Sequence, residues 1–174
     1  MTRASKEKII NDEIKVLEIL EQHAKESIGE IAKKCGFSHQ KVWRVIKDLE
    51  TKKIIWGYTA VTDETVKKLK HFTLLVKRSN LQFEDDIRKE VSDDKLDNLI
   101  SGFVKIENIY TTNGTTDFVF TFYAPDLVTA KKFVNQLFKR HANFILEFSL
   151  LETMVQLRKY GLKNPKIKEL VEYI

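Results

Sequence analysis

Two helix caps stand almost back to back between residues 27 and 38, and they leave this chain little freedom. Ser27-Ile28-Gly29-Glu30 is a capping box: the serine hydroxyl accepts from a backbone N–H three residues on, and the glutamate reaches back to the N–H of Ser27. Gly36 ends the helix so opened, because glycine takes the left-handed C-terminal conformation without steric cost. After only Gly36-Phe37, Ser38 caps another helix that runs to about Thr51. Ahead of the pair, Ile10, Ile14, Leu17 and Leu20 recur at three- and four-residue steps. They predict an amphipathic helix over about 9–24, with Ser5 or Asn11 as its cap. Two short helices across a tight glycine-containing turn, behind a further helix, form a helix-turn-helix.

The third helix divides into two faces. Stepping about 100° per residue puts Val42, Val45, Ile46 and Leu49 inside and Gln40, Lys41, Arg44 and Lys47 outside, with Trp43 at the margin. Arginine and lysine bond guanine edges or phosphates and glutamine bonds an adenine edge, which is what a helix in the major groove requires. Residues 1–26 hold five Lys+Arg and six acids, whereas residues 27–58 hold seven against Glu30, Asp48 and Glu50. The basic excess thus sits on the candidate reading unit, although ordinary solvated helix charges would give the same count. One small reading helix binds weakly, so two copies on two half-sites are expected.

The 174 residues, 43% of them hydrophobic, suffice for one or two packed domains. No apolar run nears the about 18 residues needed to span a bilayer, and MTRASKEKII has no apolar signal region. No membrane partner and a cytoplasmic location are therefore expected. Cys35 is the one cysteine, which excludes an internal disulfide and a CxxC metal motif. A net charge of +5 permits a polyanionic partner without requiring one.

Beyond the third helix, Ile54-Ile55-Trp56-Gly57-Tyr58-Thr59-Ala60-Val61 reads as a linker and pairing strand. Strand 72–77, helix 83–100, strand 103–111, strand 117–123, helix 126–141 and strand 144–157 then follow. This βαββαβ order predicts a ferredoxin-like sheet, hence an α+β chain. Phe118, Phe120 and Phe122 alternate with Val119, Thr121 and Tyr123, so one face of that strand is aromatic and packs on helices. The other face, read as apolar, calls for a partner sheet from a second copy. Asn164-Pro165 followed by Ile167, Leu170, Val171 and Ile174 predicts a capped terminal helix folded back on its own subunit. The expected division is 1–53 helix-turn-helix, 54–71 linker strand and connection, 72–160 ferredoxin-like domain and 161–174 helical tail.

From about residue 9 to 158 these features resemble the Lrp/AsnC, or feast/famine, transcription regulators. The resemblance rests on Ser27-x-x-Glu30-Ile31-Ala32-x-x-x-Gly36-Phe37-Ser38, on Val42-x-Arg44-x-Ile46-x-x-Leu49-Glu50 and on Ile54-Ile55-x-Gly57-Tyr58-x-Ala60. Gly114 and Asp117 add a Gly-x-x-Asp turn between two strands. It implies a wingless helix-turn-helix on a ferredoxin-like (RAM) effector and oligomerisation domain. It further implies a palindromic double-stranded DNA operator, dimers that build tetramers or octamers, and a small effector such as an amino acid. By carry-over Ser38, His39, Gln40, Lys41, Arg44 and Lys47 face DNA, and Asn113, Gly114, Thr115, Thr116 and Asp117 face the effector. Neither enzymatic activity, nor a cofactor, nor a metal is expected. Two positions depart from the family: Val45 stands where a second basic residue is usual, and Lys53 where a glycine is.

Other readings stay open at this level. Gly114 and Asp117 serve equally as hairpin-turn residues, an Asn-Gly pair favouring left-handed backbone. A protein that compacts DNA through phosphates alone needs the same basic helix, although Glu84, Asp85, Asp86, Glu90, Asp93, Asp94 and Asp97 would repel DNA from one helix of the second domain. A metal-responsive regulator could use Cys35 and His39 with His23, but Cys35 on an apolar side reads as core. A siroheme-decarboxylase-like subunit shares the architecture, yet His23, His39, His71 and His141 stand singly.

Overall fold

The computed structural model describes residues 3–79 and 104–170 together with Glu172. They form two compact units, Met1–Ala60 and Val61–Ile174. The expected helix over 83–100 and its acidic face lie outside the described residues.

In the first unit α1 spans Arg3–Gln22, α2 Ile28–Cys35 and α3 His39–Thr51. Both halves of the capping box form. The Glu30 N–H donates to Ser27 Oγ at 3.2 Å and the Ser27 N–H to Glu30 Oε2 at 3.0 Å, which holds the Glu30 carboxyl below its usual range. Gly36 takes φ 68°, the Phe37 N–H returns to the Ala32 carbonyl at 2.9 Å, and Ser38 Oγ accepts from the Lys41 N–H at 3.2 Å. Val16, Leu20, Ile31, Ala32 and Val42 form the core, with Ile19, Phe37, Val45 and Ile46 packed around them.

α1 departs from its sequence reading in two ways. It begins before both Ser5 and Asn11, so neither caps it. Its inward stripe also runs through Asp12, Glu13, Val16 and Leu20, leaving Ile10 and Ile14 at 52% and 45% exposed. Ion pairs explain the rotation: Lys41 reaches Asp12 at 2.7 Å and Lys52 reaches Glu13 at 2.6 Å, so α3 grips this end of α1 by charge.

Residues 54–61 form no strand. Their β-branched and aromatic composition favours extension, but neither sheet of the chain offers them a ladder. α3 ends instead with the Ile54 N–H donating to the Leu49 carbonyl at 3.0 Å, and Lys53 is forced to φ 57°. The glycine usual at this point in the resembled family is thereby explained as a left-handed position.

The second unit carries β1 (Lys70–Arg78), β2 (Lys105–Thr111), β3 (Phe118–Ala124), α4 (Leu127–Arg140) and β4 (Ile145–Glu152). The sheet is antiparallel in the order β2-β3-β1-β4, the split order expected of a ferredoxin-like domain. Asp126 caps α4 by accepting from the Thr129 N–H at 2.7 Å. Ala130, Phe133, Val134 and Leu137 of α4 meet Phe72, Phe118, Phe120 and Phe122 on one sheet face; Phe122 lies against Phe133 with centroids 5.0 Å apart.

β4 stops at Glu152, short of the expected Leu157. There follow a two-residue hairpin, β5 (Arg158–Lys159) and β6 (Leu162–Lys163), and a run of turns. Tyr160 and Gly161 at φ 48° and 79° supply the paired left-handed residues such a hairpin needs. The tail expected as a helix is a succession of turns over 165–169, closed by three-residue bonds such as Leu170 N–H to the Ile167 carbonyl at 3.2 Å. Asn164 and Lys166 are tied instead to Gln156 and Asp63. Those anchors hold the segment against its own chain, in place of the regular bonds of a helix.

The left-handed conformation costs a non-glycine residue about 1 kcal/mol, so Lys53→Gly is expected to raise the stability of the first unit by about 0.5–1 kcal/mol. Urea unfolding followed by helical circular dichroism checks it, and an unchanged or lowered midpoint refutes it.

Candidate nucleic-acid interface

The caps place the outer face of α3. Because Ser38 fixes where the helix begins, His39, Gln40, Trp43, Arg44 and Lys47 all emerge on the exposed side, opposite buried Val42 and Leu49. The structure then sorts the residues expected to face DNA by what else they do. Ser38 is spent as the cap. The Lys41 ammonium stands 3.5 Å from the centroid of the Phe37 ring besides pairing with Asp12, which fixes it against the unit's core. Lys47 donates to Glu50 Oε2 at 2.9 Å; with the Tyr58 hydroxyl, it keeps the Glu50 carboxyl below its usual range. The His39 ring lies over the first turn of α2, where a Cβ on Gly29 would come within 3.0 Å of it. Gln40 and Arg44 have no hydrogen-bond or ionic partner among the described residues. Neither the importance of Gly29 nor the commitment of Lys41 carries a local sequence signal.

Val45, where the resembled family places a second base, packs against the core and offers no phosphate contact. Cys35 also faces inward: its Sγ lies 3.8 Å from the Lys15 carbonyl, and burial raises its thiol pKa. No group of three or more potential metal ligands occurs among the described residues.

Residues 113–117 all lie in the β2–β3 connection. Gly114 stands at φ 158°, nearly extended, so this Asn-Gly pair does not make the left-handed turn its composition suggests. Asp117 clamps the base of the loop. Its carboxylate accepts from the Arg78 N–H and Arg78 Nε, both at 3.0 Å, while its own N–H donates to the Val76 carbonyl at 2.9 Å. Thr112 Oγ1 donates to the Thr116 carbonyl at 2.6 Å and Lys77 Nζ to the Thr115 carbonyl at 3.1 Å.

The helix-free sheet face is apolar, as expected, only over Leu75, Tyr110, Val119 and Leu151; its other end is polar. Ile106 pairs with Phe122 but Asn108 with Thr121, so Glu107 is the extra residue of a β-bulge. The bulge aims its carboxylate across this face. Glu107 Oε2 accepts from His71 Nε2 at 3.1 Å and Oε1 from the Tyr123 hydroxyl at 3.1 Å, with Lys159 Nζ at 3.5 Å. His71 Nδ1 then accepts from the Thr153 hydroxyl at 2.6 Å, which suits a neutral ring. Beside them Glu64, its side chain 3% exposed, is held by Lys105 at 2.9 Å and Lys67 at 2.8 Å. A cavity of about 500 Å³ and another of about 540 Å³ open against this cluster and share His71 and Gln156. Neither is lined by residues 113–117.

These groups make acid sensitivity predictable. Lys105 and then Lys67 hold the Glu64 carboxyl at about 2, against an ordinary 4.5. A depressed folded value means this stabilisation is complete above pH 4.5 and is lost as pH falls toward 2. Burial, only partly opposed by Glu107, lowers His71 from 6.5, so the unfolded chain takes that proton first and stability begins to fall below pH 6.5. Glu64→Gln is expected to lower the urea midpoint of the second unit at pH 7 and to flatten its decline between pH 4.5 and 2. Parallel declines in variant and parent would refute the assignment.

Residues 13–55 match a family described as winged helix-turn-helix DNA-binding; no strand follows α3 within the first unit to form a wing. No curated protein matches the chain. Among solved structures, it is similar to an AsnC family transcriptional regulator from Agrobacterium tumefaciens at 21% identity and TM-score 0.65, covering 97% of this chain and 99% of that one. It is also similar to a transcriptional regulator from Neisseria meningitidis in complex with L-Met, at 16% identity and TM-score 0.66, covering 91% and 97% respectively. The feast or famine regulatory protein of M. tuberculosis complexed with L-methionine matches at 15% identity and TM-score 0.67, covering 86% and 94%. A helix-turn-helix of DNA-binding type is therefore joined here to a ferredoxin-like sheet, in the fold of the Lrp/AsnC regulators.

Proposed function

We propose that this chain is a sequence-specific, double-stranded-DNA-binding transcriptional regulator of the Lrp/AsnC type, working in the cytoplasm as a homo-oligomer and not as an enzyme. The observation that carries the proposal is the outer face of α3. A capped, rigidly packed helix presents Gln40 and Arg44 with no competing partner, in a segment that matches DNA-binding domains. In the major groove Arg44 takes guanine edges or phosphate and Gln40 an adenine edge, while His39 and Lys47 flank the phosphates and Ser38 and Lys41, through the cap and the Asp12 pair, hold the helix that carries them. Two copies engage the halves of a palindrome. The second unit dimerises and senses a small molecule, an amino acid being favoured by the methionine complexes of two proteins of this fold. Residues 113–117 are the proposed effector turn, with Asp117 also holding its base to Arg78.

Selection of bound genomic fragments by the purified protein, followed by a salt titration of the best site against a scrambled one, tests the reading. A palindromic consensus preferred about a thousandfold supports it; salt-sensitive binding with no consensus makes the protein a DNA compactor instead. Arg44→Ala is expected to lower operator affinity by about 1–3 kcal/mol with an unchanged circular dichroism spectrum, and equal affinities would refute the assignment of that face. Asp117→Ala is expected to leave DNA binding by the effector-free protein nearly intact while weakening the response to amino acids. Dissociation of the oligomer on that substitution would make Asp117 structural.

A further inference from the structure

Trp43 is the exposed large apolar residue of α3, and the DNA-reading proposal leaves it without a role. It is 55% exposed, although tryptophan is among the residues with most to gain from burial. Its indole has no hydrogen-bond or ring partner among the described residues. On the helix it borders the outward stripe, with Lys47, Gln40 and Arg44 about 40°, 60° and 100° round from it on the same side. Its polar neighbours are thus Gln40 one turn before, Arg44 next in sequence and Lys47 one turn after. Capping at Ser38 and burial of Val42 and Leu49 hold this part of the backbone, so the Cα of Trp43 is set relative to those of Gln40, Arg44 and Lys47.

The chemistry of the major groove says what an exposed apolar surface beside polar readers recognises. Guanine, adenine and cytosine edges present donors and acceptors that the carbon edge of the indole, away from its N–H, would strip of water without return. Thymine alone presents a methyl group there. We infer that Trp43 is a specificity-determining residue that reads the C5-methyl of thymine, selecting T·A pairs beside those contacted by Gln40 and Arg44. The inference rests on the DNA-binding reading above and extends it from binding to sequence choice.

Replacing thymine by uracil removes that methyl and nothing else. The test is a scan of every thymine of the selected site, replaced singly by uracil, against the full-length parent, Trp43→Ala, Trp43→Phe and Arg44→Ala. The parent is expected to lose about fourfold in affinity at one or two thymines per half-site, the factor for one buried methyl contact. Trp43→Ala is expected to bind thymine and uracil sites equally, and Trp43→Phe to keep the preference. Circular dichroism matching the parent excludes unfolding of the variants, and Trp43→Gln, which removes the apolar ring and is also expected to bind thymine and uracil sites equally, carries the test should Trp43→Ala fail to fold.

A parent indifferent to uracil everywhere overturns the inference while leaving the DNA-binding reading standing. So does Trp43→Ala keeping the parent's thymine preference, since another residue would then read the methyl. A fall in oligomeric state with Trp43→Ala, seen by sedimentation, makes the indole a self-association contact and also overturns it. Failure of the parent to prefer any sequence removes the DNA-reading proposal and this inference with it.

Discussion

The junction Gly36-Phe37-Ser38 governs the first unit. Were α2 to end one residue later or α3 to begin one residue earlier, every side chain of α3 would turn by about 100°, and Arg44 would exchange its exposure for the core. Gly36 at φ 68° and Ser38 bonding the Lys41 N–H prevent either slip. The phase of the outer face follows from those two residues, and with it the division between groups left for a ligand and groups spent on the fold.

Charge completes what capping begins. Lys41 and Lys52 hold α1 through Asp12 and Glu13, so part of the basic excess counted in the sequence is internal neutralisation and not surface potential. Half-exposed pairs of this kind contribute little stability each, but at two points along α3 they define how it lies on α1. The field a polyanion meets is correspondingly narrower than a count of lysines suggests.

In the second unit a single bulge has a comparable effect. The extra residue Glu107 divides the face opposite α4 into an apolar part, over Leu75, Tyr110, Val119 and Leu151, and a polar one. With it, a carboxylate crosses that face to His71, Tyr123 and Lys159, and the C-terminal hairpin and turns lie over the resulting cluster. Buried charges tolerate this only when paired, as they are here. The same pairing makes the unit sensitive to acid.

What was legible in the sequence is whatever depends on neighbours within a few positions. The capping box, the glycine stop, the inward and outward sides of α3, the aromatic face of β3 and the split strand order all follow from local periodicity and cap chemistry. So does the resemblance those motifs carry. Over the described residues of this single chain, neither 54–61 nor 165–170 takes the regular form expected, for the complementary reason: propensity proposes extension or coiling, but a strand needs a ladder and a marginal helix needs a face to pack against. The tertiary structure alone decided that Ile10 and Ile14 face outward, that Lys41 belongs to Asp12 and Phe37, that Lys53 is left-handed, and that His71 meets Thr153 across 82 residues of chain. Such pairings are set by strand register, by a bulge and by the angle between helices, which no residue announces in its own neighbourhood.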